Sequence, residues 1–263
     1  MTDQIQFGPA GIGGFKETEE FLERYSKMGI RCAEIPFTYK IWLDNEQSKK
    51  VGEWAKKFNI ILSIHAPYYI NLTSENPKII QESMQRILDT CERASYLQAK
   101  YVVFHAAYYG KQDKKKVFQI VKKRILEMQK VIQKNKWQVQ LAPETTGKES
   151  QFGSLDELLK LVKETKCFLC LDFAHMEARV QKNNLKEIFE KIKKAKLSRL
   201  HCHFSGIEYG EKGERKHIIT PEKKLLELLK YFKKYKIEAN LINESPDPIS
   251  DTLKGIKIWK KLS

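Results

Sequence analysis

The sequence predicts an α/β fold, a (β/α)8 (TIM) barrel, on three observations. Short apolar runs rich in β-branched and aromatic residues alternate with stretches of 3.6-residue periodicity from end to end, and eight such pairs can be counted. The 263 residues divide into about 33 per pair, near the roughly 250 residues typical of an eightfold parallel barrel. No Gly/Ser/Pro linker or break in composition interrupts the rhythm, so residues 1–263 are read as a single domain. The rival, a doubly wound open sheet, calls for a Gly-rich phosphate turn after an early strand. GPAGIGG at 8–14 does not match GxGxxG and is read as a flexible first loop.

In order, IQFGP near residue 5 leads into TEEFLERYSKMG, CAEIPF at 32 into SKKVGEWAKKF, and ILSIHAP at 61 into PKIIQESMQRILDTCERASYL. YVVFHAA at 101 leads into KKKVFQIVKKRILEMQKVIQKNK, and VQLAPET at 139 into SLDELLKLVKET. FLCLDFAH at 168 is followed by NLKEIFEKIKKAK, LHCHFS at 200 by PEKKLLELLKYFKKYK, and ANLINES at 239 by ISDTLKGIKIWKK. Capping chemistry marks two starts: Ser154 stands before Leu155, Asp156 and Glu157, and Thr220 before Pro221.

Composition excludes several classes. With 41% hydrophobic residues the chain can bury a full core, so disorder is excluded. No apolar run reaches the roughly 18–20 residues of a membrane span, and MTDQIQFGPAGIGG lacks a basic region before an apolar core. A cytoplasmic protein, nucleoid-associated if prokaryotic, and a monomer is expected. Five cysteines at 32, 91, 167, 170 and 202 suit reduced, buried thiols. Cys167 and Cys170 have CxxC spacing on a strand, where residues three apart point to opposite faces, which disfavours a redox or zinc pair. The net charge of +15 makes nucleic acid a plausible partner, although much of the lysine lies along amphipathic helices as a solvated face.

The polar residues collect at strand ends. His65, His105, His175, His201 and His203 lie on or just after predicted strands, and His217 lies in the loop after the seventh. Glu144, Asp172 and Glu244 end strands five, six and eight, and Glu214 shares the loop of His217. In a barrel these ends converge on the C-terminal mouth, where active sites are built. So many imidazoles and carboxylates stay badly desolvated or repel unless something cationic holds them, and divalent metals do so. The mixed nitrogen and carboxylate set suits zinc, manganese or iron, and its size calls for more than one ion. No Ser/His/Asp arrangement or phosphate loop is seen.

These residues resemble endonuclease IV, a metal-dependent apurinic/apyrimidinic endonuclease on a (β/α)8 barrel. SIHAPYYINL, VFHAA, APETTGKESQFGS, LDFAHMEA, HCHFSG with GERKHI, and NESPDP carry the resemblance along the whole chain and in the same order. The resemblance implies up to three metal ions, usually Zn2+, with Mn2+ or Fe2+ at one site. It places His65, His105 and Glu144 on one ion, and Glu144 with Asp172, His203 and Glu244 on a second. His175 and His217 with a nearby acid would hold the third. The family's D-x-H triplet is absent: Arg215 stands two residues before His217 and is no ligand, whereas Glu214, three before, substitutes through a longer arm and a shifted loop. His201 and His203 both face inward. His203, directly before the Phe-Ser-Gly turn, is favoured as ligand, with His201 supporting it or belonging to the core.

The implied reaction is hydrolysis of the DNA phosphodiester 5′ to an abasic site in double-stranded DNA, as in base excision repair. Glu144 would bridge two ions and orient the attacking hydroxide. Tyr68 and Tyr69 occupy the positions of the family's minor-groove wedge. Lys40, Trp42 and Lys148 are candidates for phosphate or groove contacts, and Tyr108 and Tyr109 for the pocket border. The competing reading is a metal-dependent sugar or sugar-phosphate isomerase or epimerase, which uses a similar set with fewer ions. The +15 charge and the paired tyrosines favour the nuclease.

Overall fold

The computed structural model describes residues 4–262. Its first half runs β1 (Ile5–Pro9), α1 (Thr18–Lys27), β2 (Cys32–Pro36), α2 (Asn45–Lys57), β3 (Ile61–His65), α3 (Pro77–Leu97), β4 (Tyr101–Phe104), β5 (Ala107–Tyr108) and α4 (Lys114–Lys134). Then come β6 (Gln140–Pro143), β7 (Gln151–Phe152), α5 (Leu155–Thr165), β8 (Cys170–Asp172), α6 (Phe173–Val180) and α7 (Leu185–Lys194). The chain closes with β9 (Arg199–Phe204), β10 (Gly206–Gly210), β11 (Gly213–Ile218), α8 (Glu222–Tyr235), β12 (Glu238–Asn243) and α9 (Pro248–Leu262).

Two parallel sheets, β1-β12-β9-β8 and β2-β3-β4-β6, form the barrel wall. Parallel bridges Ala10 to Glu34 and Glu144 to Cys170 join them at both seams and close the circle, as the alternating pattern predicts. The wall strands are buried on both faces, which explains why they read as continuous apolar runs instead of alternating ones. Each helix lays one stripe on the wall. The lysine-rich α4 buries Val117, Phe118, Val121, Ile125, Met128 and Ile132 while Lys114, Lys115 and Lys116 face solvent. Ser154 caps α5 with the reciprocal Glu157 contact its sequence foretells.

The structure departs from the sequence reading in four places. The sixth strand ends at Asp172, whose Oδ1 accepts from the His175 backbone N–H at 2.7 Å and starts α6, so His175 is helical. Residues 206–218 form the β10–β11 hairpin rather than a loop. Thr220 does not cap α8; its N–H donates to Asp251 and its hydroxyl accepts from Asn243. The glycine-rich first loop is pinned: Gly11 N–H donates to the Glu34 carbonyl at 2.8 Å, and Tyr25 donates to the Gly11 carbonyl at 3.0 Å. The five cysteines are buried free thiols. Cys167 packs in the main core and Cys170 joins Tyr101, Val103 and Ala142 in a separate cluster, so the CxxC pair faces opposite ways.

Candidate metal centre

At the C-terminal mouth of the barrel a cavity of about 460 Å³ is lined by residues that include His65, His105, Glu144, His175, Glu214, His217 and Glu244. Register delivers most of them. His65 ends β3, His105 and Glu144 follow β4 and β6, Asp172 ends β8, His203 sits one residue before the end of β9, and Glu244 follows β12.

Glu144 is the hub. Its Oε2 lies 3.1 Å from both His65 Nε2 and His105 Nε2, and its Oε1 lies 3.1 Å from His175 Nδ1 and 3.2 Å from His203 Nδ1. Each carboxylate oxygen therefore faces a different pair of imidazoles. At the mouth, donor atoms fall into overlapping groups, each within 4.8 Å: His65, His105 and Glu144; Glu144, Asp172, His203 and Glu244; and Asp172, His175 and His217; a further group, Cys170, His201 and His203, includes the deeper His201.

Outer partners orient the imidazoles as they orient metal ligands. His65 Nδ1 lies 2.7 Å from the Ala66 carbonyl, which demands a donor, so Nε2, 3.1 Å from Glu144 Oε2, is the nitrogen that can exchange its proton for an ion. His175 Nδ1 meets the Thr145 carbonyl at 3.0 Å, and its Nε2 faces His217 Nε2 at 3.3 Å and Glu214 Oε2 at 3.5 Å. His105 Nε2 and Asp172 Oδ2 are buried without a hydrogen-bond partner. Ligand atoms packed this closely in a buried pocket need protons or a shared cation between them. The donor set of imidazoles and carboxylates fits zinc, manganese or iron.

The electrostatics agree. Burial pushes the Glu144 carboxyl up, but the imidazoles of His105 and His203 outweigh it and hold it well below the usual carboxylate range. Glu244 is drawn down to about 2, against burial, by His203. Asp172 is raised, because burial outweighs His175 and His217. Burial opposes charge on His175, yet Asp172 and Glu144 lift it well above the ordinary imidazole value. Without metal, protons take the place of cations.

The hairpin turns Glu214 toward His175, although Glu214 belongs to none of these donor groups. Ile207 pairs with His217 and Glu208 with Lys216, after which the register shifts and Tyr209 pairs with Glu214, leaving Arg215 as the extra residue. On an unbroken strand residues three apart face opposite sides, but this bulge turns Glu214 and His217 into the same cavity. The Glu214 carboxylate lies over Gly147, where a Cβ would stand 2.5 Å from its Oε2. Arg215 turns away and packs over Gly210.

A family model for the xylose isomerase-like TIM barrel matches residues 22–262. The chain belongs to the xylose isomerase-like TIM barrel family. An uncharacterized protein of Methanocaldococcus jannaschii is 32% identical over 97% of this chain and 97% of its own. A probable endonuclease 4 of Mycobacterium leprae is 26% identical over 67% of this chain and 72% of its own. Endonuclease IV from Thermus thermophilus superposes at a TM-score of 0.73 with 19% identity, covering 98% of this chain and 99% of that one. D-Psicose 3-epimerase from Clostridium cellulolyticum superposes at 0.68 with 14% identity over 98% and 95% of the two chains. This xylose isomerase-like barrel thus shares its fold with both a nuclease and a sugar epimerase.

The remaining sequence-predicted residues separate. Tyr68 lines the cavity, its ring 5.5 Å from His65 and 6.4 Å from His105, with 52% of its surface exposed. Tyr69 is exposed on the rim beside Tyr39, 6.5 Å between rings, a neighbour the sequence reading passed over. Lys40 is exposed on the same loop as Tyr39. Trp42 donates its indole N–H to the Pro36 carbonyl and packs edge-on against Phe37, which anchors that loop. Tyr108 lines the cavity, but Tyr109 is buried and donates to Glu157 at 2.6 Å. The backbone of Lys148 accepts from Arg179 at 2.6 Å, and the same guanidinium also holds Thr146 and Gln151, fixing the loop that carries Gly147. His203 faces Glu144 and Glu244, whereas His201 lies a layer deeper against Glu34. Glu34 was not anticipated, although a lone carboxylate inside an apolar strand announces a buried partner.

Proposed function

We propose that the protein is a metal-dependent apurinic/apyrimidinic endonuclease that hydrolyses the DNA phosphodiester 5′ to an abasic site. The observation that supports this reading is the overlap of donor groups at one mouth, with Glu144 and Asp172 each belonging to two of them. Bound there, divalent ions supply a hydroxide near neutral pH and neutralise charge on the phosphate and the leaving 3′ oxygen.

The chain's own residues do the positioning. His65, His105 and Glu144 would hold one ion; Glu144, Asp172, His203 and Glu244 a second; His175 and His217, with Glu214 in place of the family's Asp, a third. Glu144, whose two oxygens face different pairs of imidazoles, would be shared between the first two and would orient the attacking water. Tyr68 and Tyr69 wedge the duplex and hold it kinked, with Tyr68 nearest the ligands. Lys40 on the neighbouring loop meets a phosphate, and the +15 charge draws the polyanion in.

The alternative is a metal-dependent sugar isomerase or epimerase, and one observation favours it: Glu144, Asp172, His203 and Glu244 form a complete four-donor group without the rest. The test is incision of a duplex carrying one abasic site by metal-replete protein, with and without chelator. A chelator-sensitive nick 5′ to the site is expected. No incision, with epimerisation of a ketose instead, overturns the nuclease reading.

A further inference from the structure

Beneath the mouth lies a second, fully buried polar layer, whose Glu34 belongs to none of the donor groups. Glu34, in the middle of β2, is 1% exposed. Its Oε2 accepts from the Ser63 hydroxyl on β3 at 2.7 Å and lies 2.8 Å from His201 Nε2 on β9. Its Oε1 lies 2.8 Å from His203 Nε2, a short contact off the line of an aligned hydrogen bond. The opposite nitrogen of the same ring, Nδ1, stands 3.2 Å from Glu144 Oε1 and 3.3 Å from Glu244 Oε2.

A carboxylate oxygen 2.8 Å from a ring nitrogen is tolerated only when that nitrogen carries the proton, since two lone pairs at that distance repel. Glu34 therefore keeps the proton on Nε2, so that Nδ1, facing Glu144 and Glu244 at the mouth, is the nitrogen that can give up its proton to an ion. A buried carboxylate behind a metal-binding imidazole fixes its tautomer and orientation and raises its basicity. Ser63 and His201 hold Glu34 itself in place, and the Tyr101 ring, 5.1 Å from His201, closes the layer from the side.

We infer that Glu34 is a positioning residue for His203, setting the affinity of the ion held by Glu144, Asp172, His203 and Glu244 while leaving the ion at His65 and His105 unaffected. This rests on the metal-centre reading above. His201 serves this layer and not the ion, which gives a physical reason for two inward histidines on one strand.

The test is stepwise titration of chelator-stripped protein with Co2+, following its visible spectrum and competing it against a chromophoric chelator, for wild type and Glu34→Gln. Glu34→Gln keeps shape and removes the charge. One binding step is expected to weaken by about 10- to 100-fold with an altered spectrum, while the other steps keep wild-type affinity. Unchanged affinities in every step overturn the inference, as does equal weakening of all steps, which marks a general structural role. Should Glu34→Gln not fold, Ser63→Ala decides, with about threefold to tenfold weakening of the same single step expected and wild-type affinity overturning it. Wild-type protein that takes up no Co2+ overturns the metal-centre reading itself, a result distinct from either variant's failure.

Discussion

The two sides of the mouth are built differently. On one side His65, His105 and Glu144 project from strand ends of the closed barrel, where parallel pairing fixes each position; Ile64 and His65 sit opposite Val102 and Val103, and Phe104 opposite Pro143. On the other side His175 stands in the first turn of a helix, and Glu214 and His217 hang from a two-stranded hairpin whose register is broken by a bulge. Burial follows this division for the carboxylates, with the Glu144 side chain 1% exposed and that of Glu214 22%, but not for the imidazoles, His105 on the wall being 20% exposed and His175 on the helix 4%. A ligand placed by the barrel wall is fixed by the whole fold, whereas one placed by a hairpin is fixed by a few local contacts. The first kind is suited to chemistry that demands exact placement, and the second to an ion that is tuned or exchanged.

Four outcomes sharpen or break this comparison. The largest effect belongs to the wall: Glu144→Gln is expected to lower incision by about 10²- to 10⁴-fold while duplex binding survives. Near-normal turnover in a gel-based incision assay would remove Glu144 from its central place. Next, the double change Tyr68→Ala, Tyr69→Ala is expected to weaken binding to abasic duplex by about 1–3 kcal/mol, and intact duplex less. An equal loss on both, measured by anisotropy, would make these tyrosines nonspecific surface.

The hairpin comes third. Glu214→Ala should remove one ion from the purified protein, or weaken it about tenfold or more, and leave the ions of the wall in place. Unchanged stoichiometry by elemental analysis would show that the bulge serves no ligand.

The smallest effect is on stability as a function of pH. Without metal, burial opposes charge on His175 and His203. Asp172 and Glu144 outweigh it for His175, and Cys170 and Glu244 for His203, raising both well above 6.5. Their stabilisation is complete below the unfolded value near 6.5 and is lost as pH rises through the higher folded values. Glu144 and Glu244, held low, stabilise above the unfolded value of 4.5 and lose that as pH falls through their folded values. Chelator-treated protein should thus be most stable between these two limits and lose a few degrees of melting temperature, about 2–4 °C, toward alkaline pH. Metal-loaded protein should hold its melting temperature there, because ions replace the protons. Coincident profiles with and without chelator would contradict the exchange of protons for ions.

The barrel wall was legible in the sequence because strands buried on both faces and helices with one buried stripe leave different periods. The ligand types were legible too, since an acid or imidazole at the end of an apolar run is costly to bury unless it binds something. Elements of the second side were harder. GIEYGEKGERKHI is too charged to read as strand, because the hairpin's one packed face is narrow, Ile207 and Tyr209 against Ala174 and Ala178 of α6, and its bulge at Arg215 is invisible to simple alternation. The short helix α6 was hidden because FLCLDFAH continues the apolar run of β8 past the point where Asp172 caps a helix. Glu34 was passed over because a single acid in CAEIPF carries no spacing signal; only folding brings it to Ser63, His201 and His203.

The most direct test of the central claim is stepwise removal of metal from purified protein with a chelator of graded strength, following ions per chain and incision of abasic duplex together. The account predicts about three ions per chain, the ion at His175, Glu214 and His217 leaving first, and incision lost by the time the ions around Glu144 are removed. A single tightly held ion per chain, with no incision at any loading, would contradict it.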